Sequence, residues 1–307
     1  MPIIYQDMKR PLYYKFIGST TALLTALVLY FSSPFIKSYM HDSNLYSSII
    51  PTQNSQYKNV PIFLFHNLDG EGKYSITRHE FKNYLEIIQE EGYEVISLKT
   101  LMSHARSGRA FEKPSCVITI DDDFKNIVRV AAPLLREFSY PATLFVYISD
   151  INPHPRGGLS WEDLDRLRDE GFEIQNHSFS HTKFHKPFAG ETEHTFYARI
   201  QKEIHFSKTV LEEHFGKNTI YAFAYPMGYK SEILESKLKE LGYELLLTTD
   251  ARTVNVTSPF VGSFDRYTIQ HLERGDYRKT FKSILIKAKN TATHENNLIQ
   301  QNQLSGE

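Results

Sequence analysis

The chain has 307 residues, with 35 Lys and Arg against 36 Asp and Glu and a formal net charge of −1. This balance offers no electrostatic footprint for a nucleic-acid backbone, so DNA- or RNA-binding classes of protein are disfavoured. The single cysteine, Cys116, excludes an intrachain disulfide and a Cys-x-x-Cys metal site, so any metal must be held by histidines and carboxylates. A hydrophobic fraction of 41% indicates a folded chain with a sizeable core.

The N-terminal region predicts a membrane anchor. Residues 16–36 carry no charge and are apolar at their centre. As a helix they would reach about 31 Å, roughly the hydrocarbon thickness of a bilayer. Basic residues in the preceding segment 1–15 then predict a cytoplasmic N-terminus, with a single-pass protein in the cytoplasmic membrane and its body outside the cytoplasm. A cleaved signal peptide, giving a secreted protein, is the alternative, although no small-x-small cleavage pattern follows the apolar run.

Polar segments flank the part of the chain that we expect to fold. Residues 37–55 and 288–307 show neither a helical nor an alternating apolar pattern, so they are predicted to be a linker and a disordered tail. The body between them, 56–287, has a length within the range of one α/β barrel.

Within the body, short β-branched and aromatic runs alternate with amphipathic stretches. Strands are predicted at 61–66, 94–98, 116–121, 142–148, 172–176, 219–225 and 243–249. Helices are predicted at 77–91, which opens with the capping box Thr77-x-x-Glu80, after Ser160, and at 192–215. The alternation predicts a distorted (β/α) barrel of about seven parallel strands, with an open doubly wound sheet as the alternative. No GxGxxG or Walker A sequence indicates a nucleotide site.

Polar clusters follow three of the predicted strands, at the ends where such folds carry their chemistry. The acidic triplet 121–123 would need a cation or a basic group to offset its repulsion and desolvation, unless it is only a solvated turn. His177 and His181, four residues apart, can meet one cation and, with a carboxylate, form the open three-ligand set of a catalytic metal. A histidine-rich surface loop is the alternative for this pair. The third cluster, Phe-Ala-Tyr-Pro-Met-Gly at 223–228, is by itself only a turn.

Taken in order, these clusters resemble the polysaccharide deacetylases of carbohydrate esterase family 4, the NodB-homology domain. The specific part of the resemblance is Asp-Asp at 121–122 followed by His-Ser-x-x-His at 177–181. Phe-His-Asn-Leu at 65–68, the cluster at 223–228 and Phe-Asp-Arg-Tyr-Thr-Ile at 264–269 are most similar to the branch that deacetylates exopolysaccharides such as poly-N-acetylglucosamine.

The resemblance implies a hydrolase that cleaves the linear amide of N-acetylated polysaccharide, with a divalent metal, most simply Zn²⁺, as cofactor. Asp122, His177 and His181 would be the metal ligands, and Asp121 the general base. The general acid that protonates the departing amine would be His271 or His66, and the motifs leave that choice open.

The substrate would meet a second set of residues that the resemblance also implies. The backbone near Met227 would bind the oxyanion, and Tyr225 and Trp161 would contact the sugar. Ala224 stands where many members have an Arg that braces the base, and Arg266 is expected to substitute for it. Asp123 stands where the family usually has Gly.

Two other functions stay open at the level of the sequence. One is a membrane-tethered, catalytically silent carbohydrate-binding protein that keeps an aromatic groove of Trp161, Tyr225 and Tyr229 for stacking on sugar faces and needs no metal. The other is a de-O-acetylase of xylan-like glycan that uses the same site. The expected partners are therefore a polysaccharide and the membrane, with no nucleic acid and no nucleotide.

Overall fold

The computed structural model of the chain describes residues 57–151, 158–270 and 276–304, with side chains described as far as residue 290. The predicted anchor at 16–36, the segment 1–15, the linker 37–55 and His271 lie outside the described residues.

No helix among the residues that the structure describes is both long enough and apolar enough to cross a bilayer. This finding counts against the predicted membrane-spanning helix, membrane partner and membrane location, and the segment 16–36 itself lies outside the residues searched. The prediction rested on hydropathy alone. The helices that the structure describes are amphipathic instead: the helix Arg78–Glu90 buries Phe81, Leu85 and Ile88 and keeps its charged residues on the outer side.

The strands lie close to where the apolar runs predict them. They are β1 (Asn59–Val60), β2 (Ile62–Phe65), β3 (Glu94–Val95), β4 (Ser115–Asp121), β5 (Thr143–Val146), β6 (Glu173–Asn176), β7 (Ala222–Ala224), β8 (Leu245–Leu247), β9 (Val254–Asn255), β10 (Ser263–Phe264) and β11 (Tyr267–Thr268). Four of the five two-residue strands, β1, β9, β10 and β11, were not predicted, because so short a run carries no period.

Helices cover the connections between the strands. They are α1 (Arg78–Glu90), α2 (Leu98–Ser107), α3 (Ala132–Phe138), α4 (Trp161–Asp169), α5 (Glu193–Ile200), α6 (Ser207–Phe215), α7 (Glu232–Glu240) and α8 (Tyr277–Leu304). The capping boxes at Thr77 and Ser160 are both formed. A π-helical turn, Gln201–Phe206, interrupts the long helix predicted at 192–215. Helix α8 continues to Leu304, through most of the segment that we expected to be disordered.

The main sheet has nine strands, of which eight follow the hydrogen-bonded order β10-β8-β7-β6-β5-β4-β2-β11, all in parallel pairs. β3 pairs with β4 outside this path, and β1 and β9 form a separate antiparallel pair. The two end strands, β10 and β11, are separated along the chain only by Asp265 and Arg266. One extended segment, 263–268, therefore touches both edges of the sheet, and the sheet must curl to bring those edges together.

This architecture is a parallel-strand half-barrel, which corrects the barrel that the sequence predicted. Among the described residues the two end strands do not pair with each other; the single segment 263–268 changes partner at the seam instead. The buried apolar side chains form two clusters. Because side chains alternate along a strand, Val117 packs into one of these clusters and Ile118 packs into the other. Thr119 and Asp121 follow Val117 on its face of β4, and both are buried. The base predicted from the motif thus points toward the same side as the seam residue Arg266.

Candidate active site

Three predicted metal ligands meet at the carboxyl ends of β4 and β6. The His181 Nε2 atom lies 3.5 Å from Asp122 Oδ1, and His177 Nε2 lies 3.9 Å from the same oxygen. One donor atom from each residue falls within 4.8 Å of the others. Asp122 follows β4 directly and His177 follows β6 directly, so the parallel sheet brings them to one edge.

The backbone around these ligands is held in an uncommon conformation. Six non-glycine residues among those described have positive φ, and four of them belong to the site: Asp122 (71°), Ser178 (83°), His181 (53°) and Met227 (57°). Such conformations cost about 1–3 kcal/mol each and persist only where the surrounding contacts enforce them. Within the acidic triplet, Asp122 has the left-handed conformation. The next residue, Asp123, is the one that stands where the family has Gly.

His177 is oriented and kept neutral by its surroundings. Its Nδ1 atom lies 2.8 Å from the carbonyl oxygen of Ala224, so an Nδ1–H donates to that carbonyl and Nε2 keeps its lone pair for the site. Burial lowers the pKa of His177 to about 3, against the opposing effect of Asp121. A small residue at position 224 therefore supplies a backbone acceptor to the metal-ligating imidazole.

Asp121 forms a buried, two-bond ion pair with Arg266. The guanidinium donates from NH1 to Oδ1 at 2.6 Å and from NH2 to Oδ2 at 2.8 Å, and its Nε donates to the Thr248 carbonyl at 3.0 Å. Burial alone would raise the pKa of Asp121, but the Arg266 charge and hydrogen bonds outweigh it and hold the pKa below its usual value. The structure thus places Arg266 on the predicted base, in the brace position that Ala224 leaves empty.

Asp122 carries a carboxylate oxygen that could bind a cation. Its Oδ1 atom is buried and has no hydrogen-bond partner among the described residues. Burial raises the pKa of Asp122 to about 6. An orphaned carboxylate oxygen facing two imidazole nitrogens is a donor set that fits a divalent cation and leaves room for further ligands.

Asp123 is turned away from these ligands. Its side chain is buried against the region of Asp150 and Gly158, where a Cβ built on Gly158 would lie 3.5 Å from the Oδ2 atoms of both aspartates. Burial, then the charges of Asp150 and Asp122, raise the pKa of Asp123 to about 8. The substitution for the family's Gly therefore adds a carboxyl group whose charged form is disfavoured by its surroundings.

The site opens into a cavity of about 840 Å³. Its lining includes Tyr225 and Met227, as expected for substrate contacts, and the exposed rim aromatics Tyr74 and Tyr229, which the sequence motifs do not single out as a pair. Trp161 does not line this cavity. Its ring packs against His214 at 4.5 Å, on the first turn of α4, so the prediction that it contacts the sugar is corrected. The position of this Trp is set by the packing of the helix that it begins. The sequence motif around Trp161 does not show that packing.

Of the two candidates for the general acid, His66 lies in the cavity wall. Phe65 of β2 pairs with Ile120 of β4. The next residue along each strand, His66 and Asp121, therefore lie side by side at the strand ends. The His66 side chain is half-buried, and its Nδ1 atom is buried and has no hydrogen-bond partner among the described residues. Burial lowers the pKa of His66, opposed by the charges of Asp121 and Asp122. His271 lies outside the described residues, so the structure offers no comparison for it.

The chain resembles known proteins over the part that carries this site. Residues 108–246 match the family model described as polysaccharide deacetylase, which includes the acidic triplet and both histidines but neither His66 nor Arg266. YxkH of Bacillus subtilis (strain 168), provisionally named a polysaccharide deacetylase, is 22% identical over 191 residues, 62% of this chain and 64% of that protein. The chain thus spans slightly less than two thirds of the length of YxkH.

Two further similarities extend over more of the chain. The poly-beta-1,6-N-acetyl-D-glucosamine N-deacetylase of Staphylococcus aureus (strain MSSA476) is 22% identical over 230 residues, 74% of this chain and 79% of that protein. The solved structure of IcaB from Ammonifex degensii superposes with a TM-score of 0.64 at 17% identity, covering 76% of this chain and 97% of that one, which shows the shared fold. Over residues 108–246 and in the order of its motifs, the chain is therefore similar to the polysaccharide deacetylases.

Proposed function

We propose that this protein is a metal-dependent deacetylase that hydrolyses the N-acetyl groups of an N-acetylglucosamine polymer, of the poly-β-1,6-linked kind named for its staphylococcal relative. One observation carries the proposal: the group Asp122, His177 and His181 lies beside an ionised, Arg266-bound Asp121 in the wall of an open cavity. The three donors fit a divalent cation, most simply Zn²⁺. Such a cation, when bound, polarises the acetyl carbonyl and lowers the pKa of water toward about 7.

Asp121 is assigned the role of general base. Its Oδ2 atom lies 3.6 Å from His177 Nε2, so the carboxylate borders the ligand group without belonging to it. Arg266 holds both carboxylate oxygens, which fixes the orientation of the base toward the attacking water. The proton taken from water by Asp121 leaves hydroxide to attack the acetyl carbon. The backbone around Met227, at the cavity wall, is the proposed donor to the resulting oxyanion.

His66 is the proposed general acid that protonates the departing amine. Its imidazole is in the cavity wall next to the base, and the nearby charges of Asp121 and Asp122 favour its protonated form against the burial that lowers its pKa. Collapse of the tetrahedral intermediate breaks the carbon–nitrogen bond and yields acetate and a glucosamine unit. His66 thus supplies the proton that the amine requires to leave.

We expect the purified protein to release acetate from N-acetylglucosamine oligomers when it is loaded with Zn²⁺. Chelation should abolish the release, because the donor group then lacks its Lewis acid, and added Zn²⁺ should restore it. Enzymatic detection of acetate and determination of the metal content provide the measurement. Binding of oligomers without any acetate release would contradict the proposal and favour the silent binding protein. Release from O-acetylated xylan alone would favour the de-O-acetylase.

We expect His66→Gln to lower kcat for acetate release by about 10²- to 10⁴-fold, the range for loss of a positioned acid. Gln keeps a comparable size and polarity but carries no titratable proton. Zn²⁺ affinity should change little, since His66 is outside the ligand group. The comparison variant is His271→Gln, measured in the same assay. A large loss in His271→Gln with near-normal turnover in His66→Gln would transfer the role to His271.

A further inference from the structure

The π-helical turn Gln201–Phe206 lies between α5 and α6 and presents one buried carboxylate. Within the turn, Glu203 and Ile204 are buried, and Glu203 is only 3% exposed. A π-turn contains one residue more than the α-helical turn it replaces, and such turns frequently occur at functional sites. A charge in this position needs compensation, because an isolated buried carboxylate is strongly disfavoured.

The compensation comes from the loop that carries His181. Glu203 Oε2 accepts hydrogen bonds from the backbone N–H groups of Phe179, at 3.2 Å, and Ser180, at 2.9 Å. Its Oε1 accepts from the Ser180 hydroxyl at 2.5 Å. Among the described residues, Glu203 forms no ion pair with Lys or Arg. Its charge is therefore satisfied by the backbone and hydroxyl of the metal-ligand loop.

The backbone that Glu203 holds is the strained part of the loop. Ser178 and His181, which have positive φ, stand on either side of the two N–H groups that bond to its carboxylate. The Ser178 hydroxyl accepts from the His181 backbone N–H at 3.0 Å, which closes the turn. The direction of the His181 imidazole toward Asp122 thus depends on a backbone conformation that the Glu203 carboxylate ties down.

A second set of bonds connects the π-turn to the residue before His177. The Ser207 hydroxyl donates to the Glu203 carbonyl at 2.6 Å, and the Tyr243 hydroxyl donates to the Ile204 carbonyl at 3.2 Å. These are carbonyls of the π-turn itself. The side-chain amide of Asn176 donates to both hydroxyl groups, at 2.8 Å and 2.5 Å.

The Asn176 side chain also reaches the ligand loop. Its Oδ1 accepts from the Ser178 N–H at 2.8 Å. Both ends of the His177 to His181 loop are therefore bonded to the π-turn, one through Asn176 and the other through Glu203.

We propose that this π-turn is a positioning device for the metal site and that Glu203 is its positioning residue. The carboxylate holds the strained loop so that His181 Nε2 is aimed at Asp122 before any cation binds, and its negative charge beside His181 favours a cation there. The π-helical turn also changes the phase of the helix that follows it by about one residue, or about 100°, relative to the helix that precedes it. The inference rests on the proposed function, because it assumes that the three donors bind a metal.

The test is the metal affinity of Glu203→Ala and Glu203→Gln, with Glu213→Ala as a matched control on the exposed face of the adjoining α6. Metal-free proteins are titrated with Co²⁺, followed by its visible absorption, and with Zn²⁺ by calorimetry. Circular dichroism and thermal unfolding of the metal-free variants report folding separately. We expect Glu203→Ala to bind both ions about 10- to 100-fold more weakly, as for other residues that orient a ligand. Glu203→Gln should lose less metal affinity than Glu203→Ala, and Glu213→Ala should bind both ions as tightly as wild type.

An unchanged affinity in folded Glu203→Ala would overturn the inference. If that variant does not fold, Glu203→Gln decides, since it preserves side-chain volume and one acceptor while placing an amide against the loop N–H groups. Wild-type protein that binds the metal but releases no acetate would refute the proposed function while the affinities still decide the role of Glu203. Wild-type protein that binds neither ion would refute both.

Discussion

Asp121→Asn is expected to retain the bound metal and to lose about 10²- to 10⁴-fold in kcat for acetate release, the contribution of a well-placed general base. Asn has the same shape and can still accept one hydrogen bond from Arg266, but it cannot take a proton from water. Turnover of N-acetylglucosamine oligomers and metal content, measured on the same preparation, test this expectation.

Two comparisons make the Asp121 result specific. Asp122→Asn should instead lose metal affinity, since Asp122 provides the unpartnered oxygen of the donor group. Asp169→Asn, an exposed position at the end of α4, should change neither property. Turnover of Asp121→Asn within a few-fold of wild type would show that Asp121 is not the base.

Arg266→Met is expected to lower the free energy of unfolding by about 3–5 kcal/mol at pH 7, because it leaves a buried carboxylate without its partner. Arg266 is fully buried, and its pair with Asp121 joins the seam segment 263–268 to the central strand β4. In wild type the pKa of Asp121 is depressed. The stabilisation from this pair is therefore complete above the unfolded-state pKa of about 4 and is lost as pH falls through the folded-state pKa.

The pH dependence of unfolding distinguishes this cause from simple loss of packing. Without Arg266, burial raises the pKa of Asp121 above its usual value. At acid pH the carboxyl group is then protonated, and the free-energy cost of burying an unpaired charge disappears. The difference between wild type and variant in urea unfolding should therefore be larger at pH 7 than at pH 4.5. The double variant Asp121→Asn/Arg266→Met should regain part of the lost stability, since no unpaired charge is left. A deficit independent of pH, together with no recovery in the double variant, would refute the electrostatic explanation.

The strands and the ligand group could be predicted because their signals are local. β4 is buried at all seven positions, and a continuous apolar run is typical of a central parallel strand. The segment 177–181 contains both histidines within one loop, so their convergence requires little more than the conformation of that loop. Residue type alone did not show that Trp161 packs against His214 instead of lining the cavity.

By itself, the sequence determined the alternation of strands and helices, the strand ends that carry carboxylates and imidazoles, and the exclusion of an intrachain disulfide. Only the tertiary structure decided which groups meet across the fold. Arg266 reaches Asp121 from 145 positions away because the seam segment touches both edges of the curled sheet, and Glu203, within a π-helical turn, reaches Ser180 from 23 positions away. Such contacts depend on where the sheet curves and where a helix gains a residue. The curvature of the sheet and the extra residue of the helix both depend on packing over the whole domain, so they cannot be predicted from a short stretch of sequence.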